Sequence, residues 1–131
     1  VFGQQKYVDL ELREFLKDTG LTLIAYCPLI KGAYVRDIGF PGQYISEDSR
    51  VRLRVLKEIA QESGISPNQL VYYWLMHSEP SAIPLMSASN DEQFQEDIGA
   101  LAVDASSYMQ RMNEAADGHL GPDFRTKMHF N

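Results

Sequence analysis

The sequence has few of the features that mark secreted, membrane and nucleic-acid-binding proteins. Its single cysteine, Cys27, excludes an internal disulfide framework and is typical of a reducing compartment. No apolar run approaches the roughly 20 residues of a membrane-spanning helix. Twelve Lys and Arg against 18 Asp and Glu give a net charge of -6, which argues against nucleic-acid binding because a phosphate backbone attracts clustered cations. We therefore expect a cytoplasmic protein with no nucleic-acid partner and no membrane partner.

Self-contained catalytic and metal-binding motifs are also missing. The sequence contains no GxGxxG, GxxxxGK[ST], GxSxG or HExxH pattern. Its histidines, His77, His119 and His129, lie far apart and without ligand spacing, so we predict no metal site. The chain opens on VFGQQ, without an initiator Met or the basic segment of a signal peptide, and we expect that it is truncated.

The residues that are present predict one α/β domain. A length of 131 residues with 44% hydrophobic residues is enough to form a core. Apolar residues at helical spacing predict helices over residues 9–18, 47–62, 66–77, 89–101 and 105–116. Short apolar runs predict strands over residues 1–4, 21–26 and 82–85, with a long loop over 27–45. Strands that alternate with helices indicate a parallel sheet covered by helices.

Two of these helices begin with capping signals. Ser66 is followed by Pro67 and Gln69, which predicts a serine cap, a proline at the first helical position and a capping box. Ser89 followed by Glu92 predicts a second capping box. On the helix after Ser66 we expect the one tryptophan, Trp74, to face inward.

Two strand ends are candidates for a ligand site, because ligands of α/β proteins bind beyond the carboxyl ends of parallel strands. The segments YCPL, residues 26–29, and LMSASN, residues 85–90, lie at such ends. The second segment leads directly into a helix, whose free N–H groups suit a phosphate. The alternative is that Ser89 and Asn90 only cap that helix.

Three segments together resemble the aldo-keto reductase family. They are AYCPLIKG at residues 25–32, GISPNQL with the following WL at 64–70 and 74–75, and IPLMSASNDEQFQEDIGA at 83–100. The resemblance extends to about residue 116. It implies a partial (β/α)8 TIM barrel, in which residues 1–118 form the C-terminal half and residues 119–131 a tail. It also implies the cofactor NADP(H), with NAD(H) left open because Gln93 stands where many members have Arg.

The resemblance also implies roles for individual residues. Gln4 matches the glutamine that hydrogen-bonds the nicotinamide carboxamide, and Tyr26 matches the tyrosine that stacks on the nicotinamide ring. The segment that follows Tyr26 matches the pyrophosphate side of the site: Cys27, Pro28, Leu29 and Lys31. A second group matches the adenosine-phosphate cluster: Ser87, Ala88, Ser89, Asn90, Gln93, Glu96 and Asp97.

The family's catalytic tyrosine and its Lys, Asp and His partners lie in the first half of the barrel, so we assign no catalytic residue to this chain. The expected function is that of a fragment of an NADP(H)-dependent oxidoreductase that reduces aldehydes or ketones, inactive by itself. Its expected partners are the missing N-terminal half of the barrel or another copy of the chain, and a small carbonyl substrate. The alternatives are a non-catalytic nucleotide-sensing subunit, as in the potassium-channel β subunits of the family, and an independent helical interaction module.

Overall fold

The computed structural model describes Val8 and residues 10–115, apart from the side chains of Leu10 and Gln43. Its helices and strands follow one another as α1 Leu10–Thr19, β1 Leu23–Ala25, α2 Glu47–Ser63, α3 Pro67–His77, β2 Ala82–Pro84, α4 Asp91–Gly99 and α5 Met109–Asn113. Short 3-10 turns occupy Ile30–Gly32, Gly42–Tyr44 and Ser106–Tyr108. No helix among these residues is both long and apolar enough to cross a membrane.

The two strands form a parallel pair, as their positions in the sequence predicted. Ile24 of β1 is opposite Ile83 of β2, and Ala25 is opposite Pro84. The connection between them contains α2 and α3, and α3 packs on β2. Both strands are shorter than the apolar runs that predicted them, and the third predicted strand, at residues 1–4, lies outside the described residues.

The hydrophobic core lies between the helices. Its centre is a cluster from α2, α3 and the segment before α5, formed by Leu56, Ile59, Leu70, Tyr73 and Ala105. Ile59 and Leu70 are completely buried. Full burial of such a side chain stabilises the fold by about 1.5–3 kcal/mol, so Ile59 and Leu70 contribute substantially to the contact between α2 and α3.

The start of α3 confirms its predicted capping box. Ser66 Oγ accepts a hydrogen bond from the Gln69 backbone N–H at 3.2 Å, and Gln69 Oε1 accepts one from the Ser66 N–H at 3.3 Å. Pro67 occupies the first position, where its missing N–H costs nothing.

The start of α4 differs from its prediction, because Asn90 and not Ser89 is the cap. Asn90 Oδ1 accepts a hydrogen bond from the Gln93 N–H at 2.9 Å. Gln93 Oε1 in turn accepts one from the Ser89 N–H at 2.9 Å. Asparagine reaches the third N–H of the helix as well as serine does, so the helix begins one residue later than expected and Glu92 takes no part in the bonding pattern described for this cap.

Two further helical predictions were wrong in detail. The predicted helix over 105–116 is a 3-10 turn at Ser106–Tyr108 followed by α5, because Asp104 accepts a hydrogen bond from the Ser106 N–H at 2.9 Å and tightens the first turn. Trp74 does not face inward: 36% of its surface is exposed. Its indole Nε1 donates to Asn113 Oδ1 at 2.7 Å and so connects α3 to α5.

One face of the two-stranded sheet is open and apolar. Ile24 and Ile83, which are paired across the strands, are 56% and 57% exposed. Side chains alternate along a strand, so Tyr26 and Leu85 extend the same face, and both are exposed. The opposite face includes Ala82, which is buried.

Candidate cofactor-binding site

The parallel register brings the two predicted ligand-binding segments to one edge of the sheet. Ala25 and Pro84 are partners at the carboxyl ends of β1 and β2. Immediately beyond them, the Leu85 N–H donates to the Ala25 carbonyl oxygen at 2.9 Å. The segment that begins at Tyr26 and the segment that runs from Leu85 to α4 therefore leave the sheet side by side. A dinucleotide that lies across this edge could contact both segments.

Tyr26 is the most exposed large side chain of this edge. It is 82% exposed, and it extends the open face that Ile24 and Ile83 begin. An aromatic ring in this position can pack against the flat face of a nicotinamide.

The segment after Tyr26 has an unusual backbone. Cys27, Ile30 and Lys31 have φ values of 52°, 47° and 56°, in the left-handed region that non-glycine residues rarely adopt. Two turn bonds hold this shape, from the Ile30 N–H to the Cys27 oxygen at 3.1 Å and from the Gly32 N–H to the Leu29 oxygen at 2.9 Å. Such residues cost about 1–3 kcal/mol each and cluster at functional sites.

Exposure within this segment divides the predicted residues into two groups. The Cys27 side chain is a free, exposed thiol and Lys31 is exposed, whereas Pro28 and Leu29 are half-buried. Gly32 fits closely against the next part of the loop, since a Cβ there would lie 2.9 Å from Arg36 Cδ. Lys31 and Arg36 are the cations that this loop offers to a phosphate.

The start of α4 is exposed but already capped. Ser87, Ser89 and Asn90 are exposed, and Ala88 is half-buried. The side chains of Asn90 and Gln93 both make capping bonds, so the capping role of Asn90 is confirmed, whereas Ser89 contributes its backbone N–H to these bonds. Asp91 and Glu92 place two carboxylates in the first turn. A phosphate at this helix would therefore depend on backbone N–H groups and on cations from elsewhere.

Two adjacent carboxylates near the end of α4 have different surroundings. Glu96 is half-buried, whereas Asp97 is only 6% exposed and contacts the Tyr72 hydroxyl of α3. Burial and the nearby Glu96 charge raise the pKa of Asp97, and the hydrogen bond from Tyr72 opposes them. Burial also raises the pKa of Tyr72, as does the Asp97 charge.

Tyr72 is the site-related residue that sequence reasoning missed. No local pattern indicated that its hydroxyl would meet a carboxylate 25 positions further along the chain. Among the predicted site residues, Gln4 lies outside the described residues. The other twelve lie on the two segments beyond the sheet edge and on α4.

Other surface features do not coincide with these residues. Two open grooves of about 390 and 410 Å³ are lined by side chains of α2, α5 and neighbouring turns, and neither is lined by a predicted cofactor residue. Within the described part of the chain, no group of three His, Cys, Asp or Glu side chains is placed to hold a metal ion.

Comparisons with known proteins agree with the fold. A family model described as the Aldo/keto reductase family matches residues 4–117. Two Escherichia coli proteins named L-glyceraldehyde 3-phosphate reductase are 29% and 28% identical over 130 residues, covering 83% of this chain and 38% of each relative. A thermostable aldo-keto reductase, solved with the inhibitor epalrestat, superposes with a TM-score of 0.59 at 26% identity, covering 79% of this chain and 33% of that one.

The class that the fold and these matches define is that of α/β proteins. Because the family model covers most of its length, the chain belongs to the aldo/keto reductase family. This confirms the resemblance seen in the sequence. The chain spans only about 38% of the length of the curated relatives that it matches.

Proposed function

We propose that the chain forms the cofactor-binding part of an oxidoreductase that reduces aldehydes or ketones with NADP(H). The observation that carries this proposal is the paired sheet edge, where Tyr26 is open to solvent beside the segment that leads into α4. Family membership supports it, since the relatives and the superposed structure are reductases by name.

In the proposed site, each of the two segments contacts a different part of the cofactor. The Tyr26 ring would pack on the nicotinamide, and the strained segment with Cys27, Leu29 and Lys31 would approach the pyrophosphate. Residues 87–97 would face the adenosine end. Bound NADP(H) supplies a hydride, and this chain's residues orient the ring from which it leaves.

A general acid must also protonate the carbonyl oxygen as hydride reaches the carbon. We assign none of the described residues to that step. In the proposed enzyme, the acid and most of the pocket for a small carbonyl substrate come from the remaining part of the barrel, the partner that we propose for this chain.

The open apolar face of the sheet supports the proposal that the remaining part of the barrel is the partner of this chain. The four side chains of the face, Ile24, Tyr26, Ile83 and Leu85, are large and exposed together. Further strands or a second copy could cover them, because exposed apolar sheet faces and edges attract other chains. We propose the remaining part of the barrel as the occupant. Light scattering tests this: the chain alone should self-associate, and Ile24→Lys with Ile83→Glu should reduce the self-association. A monodisperse monomer of the unaltered chain would contradict the proposal.

The choice between NADP(H) and NAD(H) depends on where a cation for the 2′-phosphate is found. The sequence has no Lys or Arg between Lys57 and Arg111, a stretch that includes α4. The cation would have to come from another segment, and Lys31 and Arg36 are candidates in the loop after β1. Parallel titrations with NADPH and NADH decide between the two cofactors: NADP(H) is supported if NADPH binds more tightly.

The nicotinamide contact has a direct test. Tyr26→Ala should weaken NADPH binding by about tenfold, since stacking of an aromatic ring contributes roughly 0.5–1.5 kcal/mol beyond its buried area. Cofactor fluorescence measures the binding. Phe15→Ala is the matched control, because Phe15 is an exposed aromatic residue on α1. If neither dinucleotide binds saturably to the full-length protein, both the enzyme and the nucleotide-sensing alternative are rejected, and an interaction module remains.

A further inference from the structure

The contact between α3 and α4 is built from polar groups on one side of α3. Gln69 and Tyr72 are three residues apart, so they lie on the same face of that helix. Gln69 Nε2 donates to the Glu96 carbonyl oxygen at 2.8 Å. The Tyr72 hydroxyl faces the Asp97 carboxyl group and interacts with it electrostatically.

Close packing accompanies these bonds. Gly99 at the end of α4 leaves room for Gln69, since a Cβ at Gly99 would lie 2.7 Å from Gln69 Nε2. Tyr72 and Asp97 are 3% and 6% exposed. Burying a phenol and a carboxyl group is unfavourable unless they are paired with good geometry. These contacts therefore favour one position of α4 on α3, and we refer to them as the α3–α4 joint.

The joint has a consequence for the residues on α4. Asp97 faces the joint, and its neighbours Gln93 and Glu96 are more exposed. We propose that Tyr72 and Gln69 are positioning residues for the nucleotide: through Asp97 and the Glu96 carbonyl, they hold α4 so that Gln93 and Glu96 face the adenosine end. This inference rests on the proposed function.

Tyr72→Phe is the variant that tests the joint, because it keeps the buried ring and removes only the hydroxyl. The dissociation constant for NADPH should rise by about three- to tenfold, the range that the loss of one hydrogen bond gives. Backbone amides of α4 should exchange with deuterium faster, while those of α2 keep their wild-type protection. In a carbonyl-reduction assay of the chain combined with the remaining part of the barrel, KM for NADPH should rise and kcat should stay unchanged, because the joint acts on cofactor binding and not on the reacting atoms.

Tyr73→Phe is the matched control. Tyr73 is the next residue of α3, is also buried, and its hydroxyl donates to a carboxylate as well, Asp104 Oδ1 at 3.3 Å. Asp104 lies after α4, in the connection to α5. The control should therefore leave both the exchange of α4 and the affinity for NADPH at wild-type values.

Each outcome of this comparison tests either the existence of the joint or its role in nucleotide binding. Unchanged α4 exchange in Tyr72→Phe overturns the joint, whatever the cofactor does. Faster exchange with unchanged affinity overturns its role in nucleotide binding, and so does an equal loss of affinity in Tyr73→Phe. If the wild-type protein binds no dinucleotide, the proposed function fails and the positioning role fails with it, while the exchange data still show whether the joint exists.

Discussion

Replacing Gln69 by glutamate separates the two bonds that this side chain makes. Its Oε1 accepts from the Ser66 N–H in the capping box of α3, and its Nε2 donates to the Glu96 carbonyl oxygen of α4. Glutamate is as good as glutamine in a capping box, so the local pattern predicts no loss for Gln69→Glu. A carboxylate cannot donate, however, and the bond to α4 should be lost.

The expected destabilisation is about 2 kcal/mol. The missing hydrogen bond accounts for roughly 1 kcal/mol. At the end of α4, the Ala100 N–H donates to the Asp97 carbonyl oxygen at 3.1 Å. The carbonyl oxygen of Glu96, which accepts from Gln69 Nε2, belongs to this same carbonyl end of the helix. A negative charge at that end costs a further 0.3–1 kcal/mol or so. Repulsion from the carboxylates of Glu96 and Asp97 adds to this cost.

Urea denaturation of the purified protein, followed by the fluorescence of Trp74, measures the free energy of unfolding. Gln93→Glu is the matched control: Gln93 Oε1 accepts from the Ser89 N–H in the same way, but Gln93 is exposed and no second bond to another helix is described for it. The control should change stability by less than about 0.5 kcal/mol. Equal effects of the two changes would refute the proposed role of Gln69 in joining α3 to α4.

Three further substitutions test the environments of Asp97, Asp104 and Gly64. Asp97→Asn and Asp104→Asn should have opposite effects on the pH dependence of stability. The pKa of Asp97 is raised mainly by burial, so its stabilising contribution is present below the ordinary aspartate pKa of about 3.9 and is lost as pH rises through its folded pKa; Asp97→Asn should therefore be more stable than wild type at pH 7, and the difference should close in acid. The pKa of Asp104 is lowered, first by the hydrogen bond from the Ser106 N–H, so its contribution is present at neutral pH and is lost as pH falls through its folded pKa; Asp104→Asn should be less stable at pH 7, again with convergence in acid. Thermal unfolding from pH 3 to 8 measures both, and curves of the same sign would contradict the assignment of the two partners. Gly64→Ala should cost about 1 kcal/mol in urea denaturation, because Gly64 ends α2 at φ 73°; an unchanged midpoint would show that this left-handed cap is not required.

The sequence alone was sufficient for features that depend on neighbouring residues. Among the described residues, the order of helices and strands, the parallel pairing of the two short apolar runs and the capping box at Ser66 all follow from local spacing. The family was also readable, because three motifs occur in the right order. Where two neighbours could serve the same local purpose, as Ser89 and Asn90 could at the start of α4, spacing alone selected the wrong one.

The tertiary structure decided which side chains meet across the chain. Trp74 has the hydrophobicity of a core residue, yet its indole N–H bonds Asn113 at the surface. Gln69 fits a capping box and also bonds α4, and Tyr72 reaches Asp97 from the next helix. Such contacts depend on how helices pack, which is set by the sum of many weak interactions over the whole core and not by any short pattern. For the same reason, only the structure showed that Ile24 and Ile83 form one open apolar face. Their pairing in the parallel sheet places both side chains on the same face. The packing of α3 determines which face of the sheet is covered.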